Sequence, residues 1–201
     1  MEILALSGLL ACLWMCFGVA LAANFYPGYS HRRQFCSELG AAGSPTQKLS
    51  PRLNNYPLGF LFILFGLYIL LLPDGAAALQ WMGVMIVLHG LATWVAGWFP
   101  MDADPYTLSP SLHCNIHSYA GLLMLLSLLV APLLSFLLPA NGYLPGEFKW
   151  FSLLCVIANV LFSVTLAKAY KAKTQPGLHQ RLSYGAQLLW LGGLSLQLWQ
   201  G

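Results

Sequence analysis

The chain has 201 residues, of which 58% are hydrophobic and only 7% are Asp, Glu, Lys or Arg. Its mean hydropathy is +0.68, whereas a soluble domain carries about 25% charged residues. Such a chain cannot cover itself for water. Its net charge of +3 is too small and too dispersed for a nucleic-acid partner.

A helix needs about 20 apolar residues to cross the hydrocarbon of a bilayer. Continuous runs of that kind predict six spans: Ile3–Ala23, Tyr56–Leu72, Ala76–Phe99, Ser111–Leu138, Trp150–Ala169 and Leu182–Trp199. They use nearly the whole chain and leave no stretch for a separate soluble domain. Unpaired backbone in lipid permits only helices or closed barrels, and runs without alternation argue against a barrel. The expected fold is all-α: one polytopic bundle of six transmembrane helices.

In chain order, the first span ends in Ala20-Leu21-Ala22-Ala23, which resembles a signal-peptidase site. No Lys or Arg precedes it, and its apolar run exceeds the usual 7–15 or so residues of a signal peptide, so it reads as a retained membrane helix. The loop from Asn24 to Asn55 is rich in turn formers, including Tyr26-Pro27-Gly28 and Gly43-Ser44-Pro45. Within it Ser30 is placed to cap a short helix ending at Gly40 or Gly43. That helix presents His31, Arg32, Glu38 and Leu39 at the membrane surface. In the spans, Gly59 and Gly66, then Gly83, Gly90 and Gly97, and finally Gly185 and Gly192 recur every seven residues. Small residues so spaced let helix backbones approach in lipid. Spans two, three and six are therefore expected to meet along glycine seams, with Val87 facing lipid. Ser109 as N-cap and Pro110 at the first position predict the start of span four. Pro132 falls where that span can kink.

Eight of the nine basic residues lie in loops one and five: Arg32, Arg33, Lys48, Arg52, Lys168, Lys171, Lys173 and Arg181; only Lys149 falls on the other side. Positive charge near span ends is retained on the cytoplasmic face. The expectation is an inner-membrane protein with both termini periplasmic. The same residues suit anionic lipid headgroups.

This topology brings Glu38, Asp102, Asp104, His113, His117, His179 and Arg181 to one interface. Ionisable groups are costly near a bilayer and mark candidate functional sites. Asp102, His117 and Glu38 are candidate catalytic residues, and Arg32, Arg33, His179 and Arg181 candidate ligand-binding residues. His113 and His117, one turn apart, could share a divalent metal ion completed by Asp102, with Asp104 or His179 as alternatives. The segment His113-Cys114-Asn115-Ile116-His117 lacks the Glu of a zinc-peptidase helix. Structural pairs that lock the loops are the competing reading. Haem is not expected: His89, alone near the middle of a span, lies about 15 Å below Asp102 at 1.5 Å per residue and has no histidine partner at its depth. A neighbouring hydroxyl or carbonyl would satisfy it, with Asn159 and Gln187 as further candidates. Cys12, Cys16, Cys36, Cys114 and Cys155 form no paired motif and read as apolar filler. No serine-nucleophile, Walker or dinucleotide motif occurs.

Several phrases together resemble the prokaryotic membrane family known as domain of unknown function 998. They are Ser37-Glu38-Leu39-Gly40 with Gly43-Ser44-Pro45, then Asn54 and Gly59, Phe99-Pro100-Met101-Asp102, His117, and Gly177-Leu178-His179-Gln180-Arg181. The last phrase departs from the pattern, which has Glu where Gln180 stands. The resemblance implies a six-helix membrane protein with polar motifs at one face and no established activity. A more distant likeness runs to membrane hydrolases related to alkaline ceramidase, of which this chain lacks the full metal-binding set.

Two functions follow. One is a polar pocket at the cytoplasmic end that binds or hydrolyses a lipid or amphipathic small molecule. The other is non-catalytic, a small transporter or an assembly partner.

Overall fold

The computed structural model describes residues 2–73, 75–139 and 143–200. Six long helices run back and forth: α1 (Ser7–Asn24), α2 (Asn55–Leu70), α3 (Ala77–Trp98), α4 (Leu112–Leu133), α5 (Phe148–Lys171) and α6 (Pro176–Gln200). No strand occurs among the described residues. Short helical turns at Glu2–Ala5 and Leu49–Leu53 lead into α1 and α2, and a 3-10 turn, Cys36–Gly40, sits in the first loop. Among the described residues five stretches are long and apolar enough to cross a membrane: Ile3–Asn24, Leu49–Leu70, Ala77–Trp98, Leu112–Leu137 and Phe148–Lys171.

The sixth helix is different. At 25 residues it is about 37 Å long, ample for a bilayer, yet it is more polar than the others. Its Ser183, Gln187 and Ser195 are buried against neighbours. The Ser195 hydroxyl accepts the Leu9 N–H at 2.9 Å, the Gln187 amide donates to the Leu125 carbonyl at 3.0 Å, and the Trp190 indole donates to Ser152 at 3.0 Å. Satisfied inside the bundle, these groups cost the membrane nothing.

Two boundaries shift. Ser111, not Ser109, caps α4, its hydroxyl accepting the Cys114 N–H. Pro110 therefore lies outside the helix. At the far end Pro132 lacks an N–H, and regular α4 stops at Leu133 and tightens into the 3-10 turn Leu134–Leu137.

The glycine seam forms between α2 and α3. A Cβ on Gly90 would lie 2.7 Å from the Gly59 carbonyl oxygen, and one on Gly66 would lie 2.7 Å from that of Gly83. The pairs run in antiparallel register, backbone on backbone. Val87 belongs to this seam and does not face lipid: its backbone N and a methyl group abut Gly66. Span six does not join. Gly192 makes ordinary contacts with Cys12 and Leu9, and nothing lies within 4 Å of a Cβ on Gly185. Helix α6 reaches α2 and α3 through long side chains, with the Tyr68 hydroxyl donating to the Leu198 carbonyl at 3.2 Å. Around these contacts Phe62, Phe65, Ile86, Trp190 and Leu191 form the core. Leu13, Phe17, Leu154 and Leu161 are exposed, as lipid-facing residues are. Trp98 is exposed near one end of the bundle and Trp81, Trp150 and Trp199 near the other, the usual belt positions of indole rings.

Candidate functional site

Helices α1, α3 and α5 end where α2, α4 and α6 begin, so loops one, three and five share one face. The start of α6 is the seat for loop one. Gly177 is needed there because a Cβ would meet the His31 carbonyl at 2.8 Å and that of Gln34 still closer. The Leu178 N–H donates to the Arg32 carbonyl at 2.9 Å. Gln180 accepts the Cys36 N–H at 2.8 Å. That contact requires an acceptor, which the amide oxygen supplies in place of a carboxylate.

Arg181 is the hub. Its Nη1 donates to the carbonyls of His31 (2.6 Å), Gln34 (2.9 Å) and Gly177 (2.9 Å), and its Nη2 to the Tyr29 hydroxyl (2.7 Å) and His31 Nδ1 (3.2 Å). Burial pushes the Tyr29 hydroxyl above its ordinary value, so it keeps its proton and donates it to the Phe35 carbonyl at 2.8 Å. Desolvation and then the adjacent guanidinium hold His31 below its usual range, which keeps Nδ1 available as an acceptor. Burial raises the Cys36 thiol above its ordinary value. The buried Glu38 carboxylate stays within the loop, accepting the Phe35 N–H at 2.7 Å and the Gln34 amide at 3.1 Å.

Loop three is built on Asp102. Its carboxylate accepts both the Ser111 N–H (2.8 Å) and the Ser111 hydroxyl (2.6 Å), while Ser111 Oγ accepts the Cys114 N–H (3.1 Å). These bonds from Ser111 hold the Asp102 carboxyl below its ordinary value. Asp102 thus extends the α4 cap at the helix end that favours negative charge. His117 does the opposite task for α3. Its Nδ1 lies 3.0 Å from the Ala96 carbonyl and 2.9 Å from that of Phe99. Both are acceptors, so Nδ1 carries the proton and closes the last turn of α3. Exposed His113 meets the Phe99 ring edge-on, with centroids 5.5 Å apart. The loops are sewn together by the Ala42 N–H on the Met101 carbonyl at 2.9 Å and the Tyr170 hydroxyl on the Pro105 carbonyl at 2.7 Å.

The convergence at one face is therefore as expected, but the pairings differ. Asp102 binds Ser111 and His117 binds backbone, so they do not form the acid/base pair. Among the described residues no three His, Cys, Asp or Glu side chains group so as to hold a metal ion, and the His113, His117 and Asp102 set is not assembled. Arg181 is spent on loop carbonyls. Arg32 is exposed, with one bond to Gln175 at 3.3 Å, and Arg33 is exposed. His179 stands in the first turn of α6 with a buried Nδ1 that has no partner. A small cavity of about 100 Å³ lies at the opposite end of the bundle, between Ser135, Leu144, Phe148 and Lys149.

Between the helices, His89 is the centre of a buried polar group. His89 Nδ1 is 3.0 Å from the Met124 carbonyl and 3.2 Å from Ser127 Oγ, and its Nε2 is 3.1 Å from the Tyr184 hydroxyl. The carbonyl can only accept, so Nδ1 bears the proton and Nε2 accepts from Tyr184. A hydroxyl and a carbonyl satisfy this histidine, as expected, but Asn159 and Gln187 are not its partners. Asn159 instead donates to the Ser183 carbonyl at 2.9 Å. Nothing in sequence spacing sets the rotation of α6 that presents Tyr184 to His89.

A family model described as protein of unknown function (DUF998) matches residues 9–197. No curated protein and no solved structure matches the chain.

Proposed function

The chain belongs to the DUF998 family, and from that premise we propose a multi-pass inner-membrane protein whose basic face binds anionic lipid headgroups without hydrolysing them. The observation that carries this reading is where the spare cations stand. Arg33, Lys48, Arg52, Lys168 and Lys171 are all exposed at the face where loops one, three and five meet. At the other face the described residues place Lys149 beside the exposed Glu147. Exposed basic residues beside a bilayer are worth about 1 kcal/mol each toward anionic lipid. Hydrolysis loses support because Asp102 and His117 are occupied as caps. By the retention of positive charge, the basic face is cytoplasmic and both termini are periplasmic.

The test is thermal stability of the detergent-purified protein with added phosphatidylglycerol or phosphatidylcholine. The anionic lipid should raise the midpoint more, and the variant K48Q/R52Q/K168Q/K171Q should reduce the difference. Equal shifts in the unaltered protein refute the reading. For orientation, Leu108 is fully exposed in loop three. Leu108→Cys should be labelled from the cytoplasm, and periplasmic labelling reverses the assignment.

A further inference from the structure

Helix α6 packs against α5 on one side and α1 on the other, while α1 and α5 make no substantial contact with each other. Towards α5 it turns Ser183, Trp190 and Gly193, which meet Asn159, Ser152 and Phe151. Towards α1 it turns Gly192 and Ser195, which meet Cys12 and Leu9. Between these two faces an uncovered strip remains. It carries Leu182, Gly185, Leu189 and Leu196, spaced as one face of a helix, with Leu189 63% exposed. Gly185 is a notch in that strip, since nothing lies within 4 Å of its Cβ position.

Loop one lies at the loop-five end of this strip: one turn before Leu182, the N–H of half-buried Leu178 donates to the Arg32 carbonyl. The Arg32 guanidinium reaches back to Gln175 one residue before α6, and Arg33 beside it is exposed. An exposed apolar strip with two exposed arginines near one end matches one class of molecule, whose two ends have those two chemistries.

We propose that one anionic phospholipid binds here, with an acyl chain along the α6 strip at Gly185 and its phosphate at Arg32 and Arg33. This rests on the reading of the basic face as lipid-binding and assigns it a specific seat. Arginine suits the phosphate because its planar fork bonds two oxygens at once. In lipid there is no hydrophobic drive for the chain, so the gain comes from close packing against bare backbone. A glycine supplies that backbone, and any side chain there would fill the notch.

Native mass spectrometry of the detergent-purified full chain tests this with phosphatidylglycerol, phosphatidylcholine and glycerol phosphate. Gly121 in α4 is the control, because it too is exposed with open space at its Cβ. The protein should retain one phosphatidylglycerol about ten- to thirty-fold more tightly than phosphatidylcholine, from two basic contacts. R32Q/R33Q should remove that preference. Gly185→Leu should weaken phosphatidylglycerol about fivefold through lost packing, while Gly121→Leu should not. Both leucines point into open space, so folding is preserved. If the two leucine variants behave alike, the contact is annular lipid only and the proposal falls. If glycerol phosphate competes as well as the lipid, the chain seat falls. If the preference exists but survives R32Q/R33Q and Gly185→Leu, this seat is wrong and the broader lipid-binding reading stands. If no preference exists, both fall.

Discussion

Gly90 and Gly185 belong to the same sequence pattern, and the structure sets opposite costs for adding a methyl group to each. At Gly90 the new Cβ would lie 2.7 Å from the Gly59 carbonyl oxygen, 2.7 Å from Ile63 Cγ1 and 2.9 Å from the Ile63 nitrogen. Two of these are backbone atoms and cannot swing aside. Helices α2 and α3 must separate by several tenths of an ångström, and a gap of 0.5–1 Å forfeits about a quarter to a half of each dispersion contact across the seam. Overpacking of this kind costs about 1–3 kcal/mol, and three simultaneous clashes belong at the upper end. Alanine returns about 1 kcal/mol of helix propensity. The net expectation for Gly90→Ala is a loss of about 2 kcal/mol, roughly a thirty-fold change in the folding equilibrium. At Gly185 no atom is met, so Gly185→Ala should be neutral or stabilising by up to about 1 kcal/mol. Thermal denaturation in one detergent, read by the recovery of monodisperse protein, compares them directly. Equal losses, or a stable Gly90→Ala, would refute the argument that the α2–α3 seam is backbone-limited.

Arg181→Lys keeps the charge but not the fork, so it should release loop one at a cost of about 2–3 kcal/mol. Trypsin should then cut at Arg32 or Arg33 faster, and an unchanged cleavage rate would show that the hub is dispensable. The Asp102 carboxyl is held below its ordinary value of 3.8, so it contributes stability above that pH and loses it as pH falls through its lower folded value. Asp102→Asn should therefore be less stable than the parent at neutral pH, with the gap closing below pH 3.8; a gap that persists in acid contradicts the cap assignment. Tyr184→Phe removes the donor to His89 Nε2 and should destabilise by about 1 kcal/mol. Stability equal to the parent's would mean the His89 ring finds another donor.

Much of the candidate site was legible in loop positions but not in its pairings. Topology alone brings Asp102, His117, Glu38 and Arg181 to one face, because helix ends must alternate across the membrane. Which partner each takes depends on rotation and register, and these shift by a residue or two without changing the hydropathy pattern. His117 is an example: its place in the second turn of α4 was evident, but the exposed carbonyls of Ala96 and Phe99 become its partners only once α3 and α4 pack. Gly185 is another. Its spacing matches that of Gly59 and Gly90, but spacing records only that a face is smooth, not whether a neighbour lies against it.

The sequence by itself determined the solvent, the six helices, the polarity of the two faces and the family. Each of these follows from composition summed over long stretches, where single-residue errors average out. Only the tertiary structure decided that α6 could be polar because its neighbours satisfy it, that α2 and α3 alone share the glycine seam, and that the apparent acid/base residues are helix caps. Those outcomes rest on hydrogen bonds and close backbone approaches between different elements, and no local pattern encodes the rotation that brings them together.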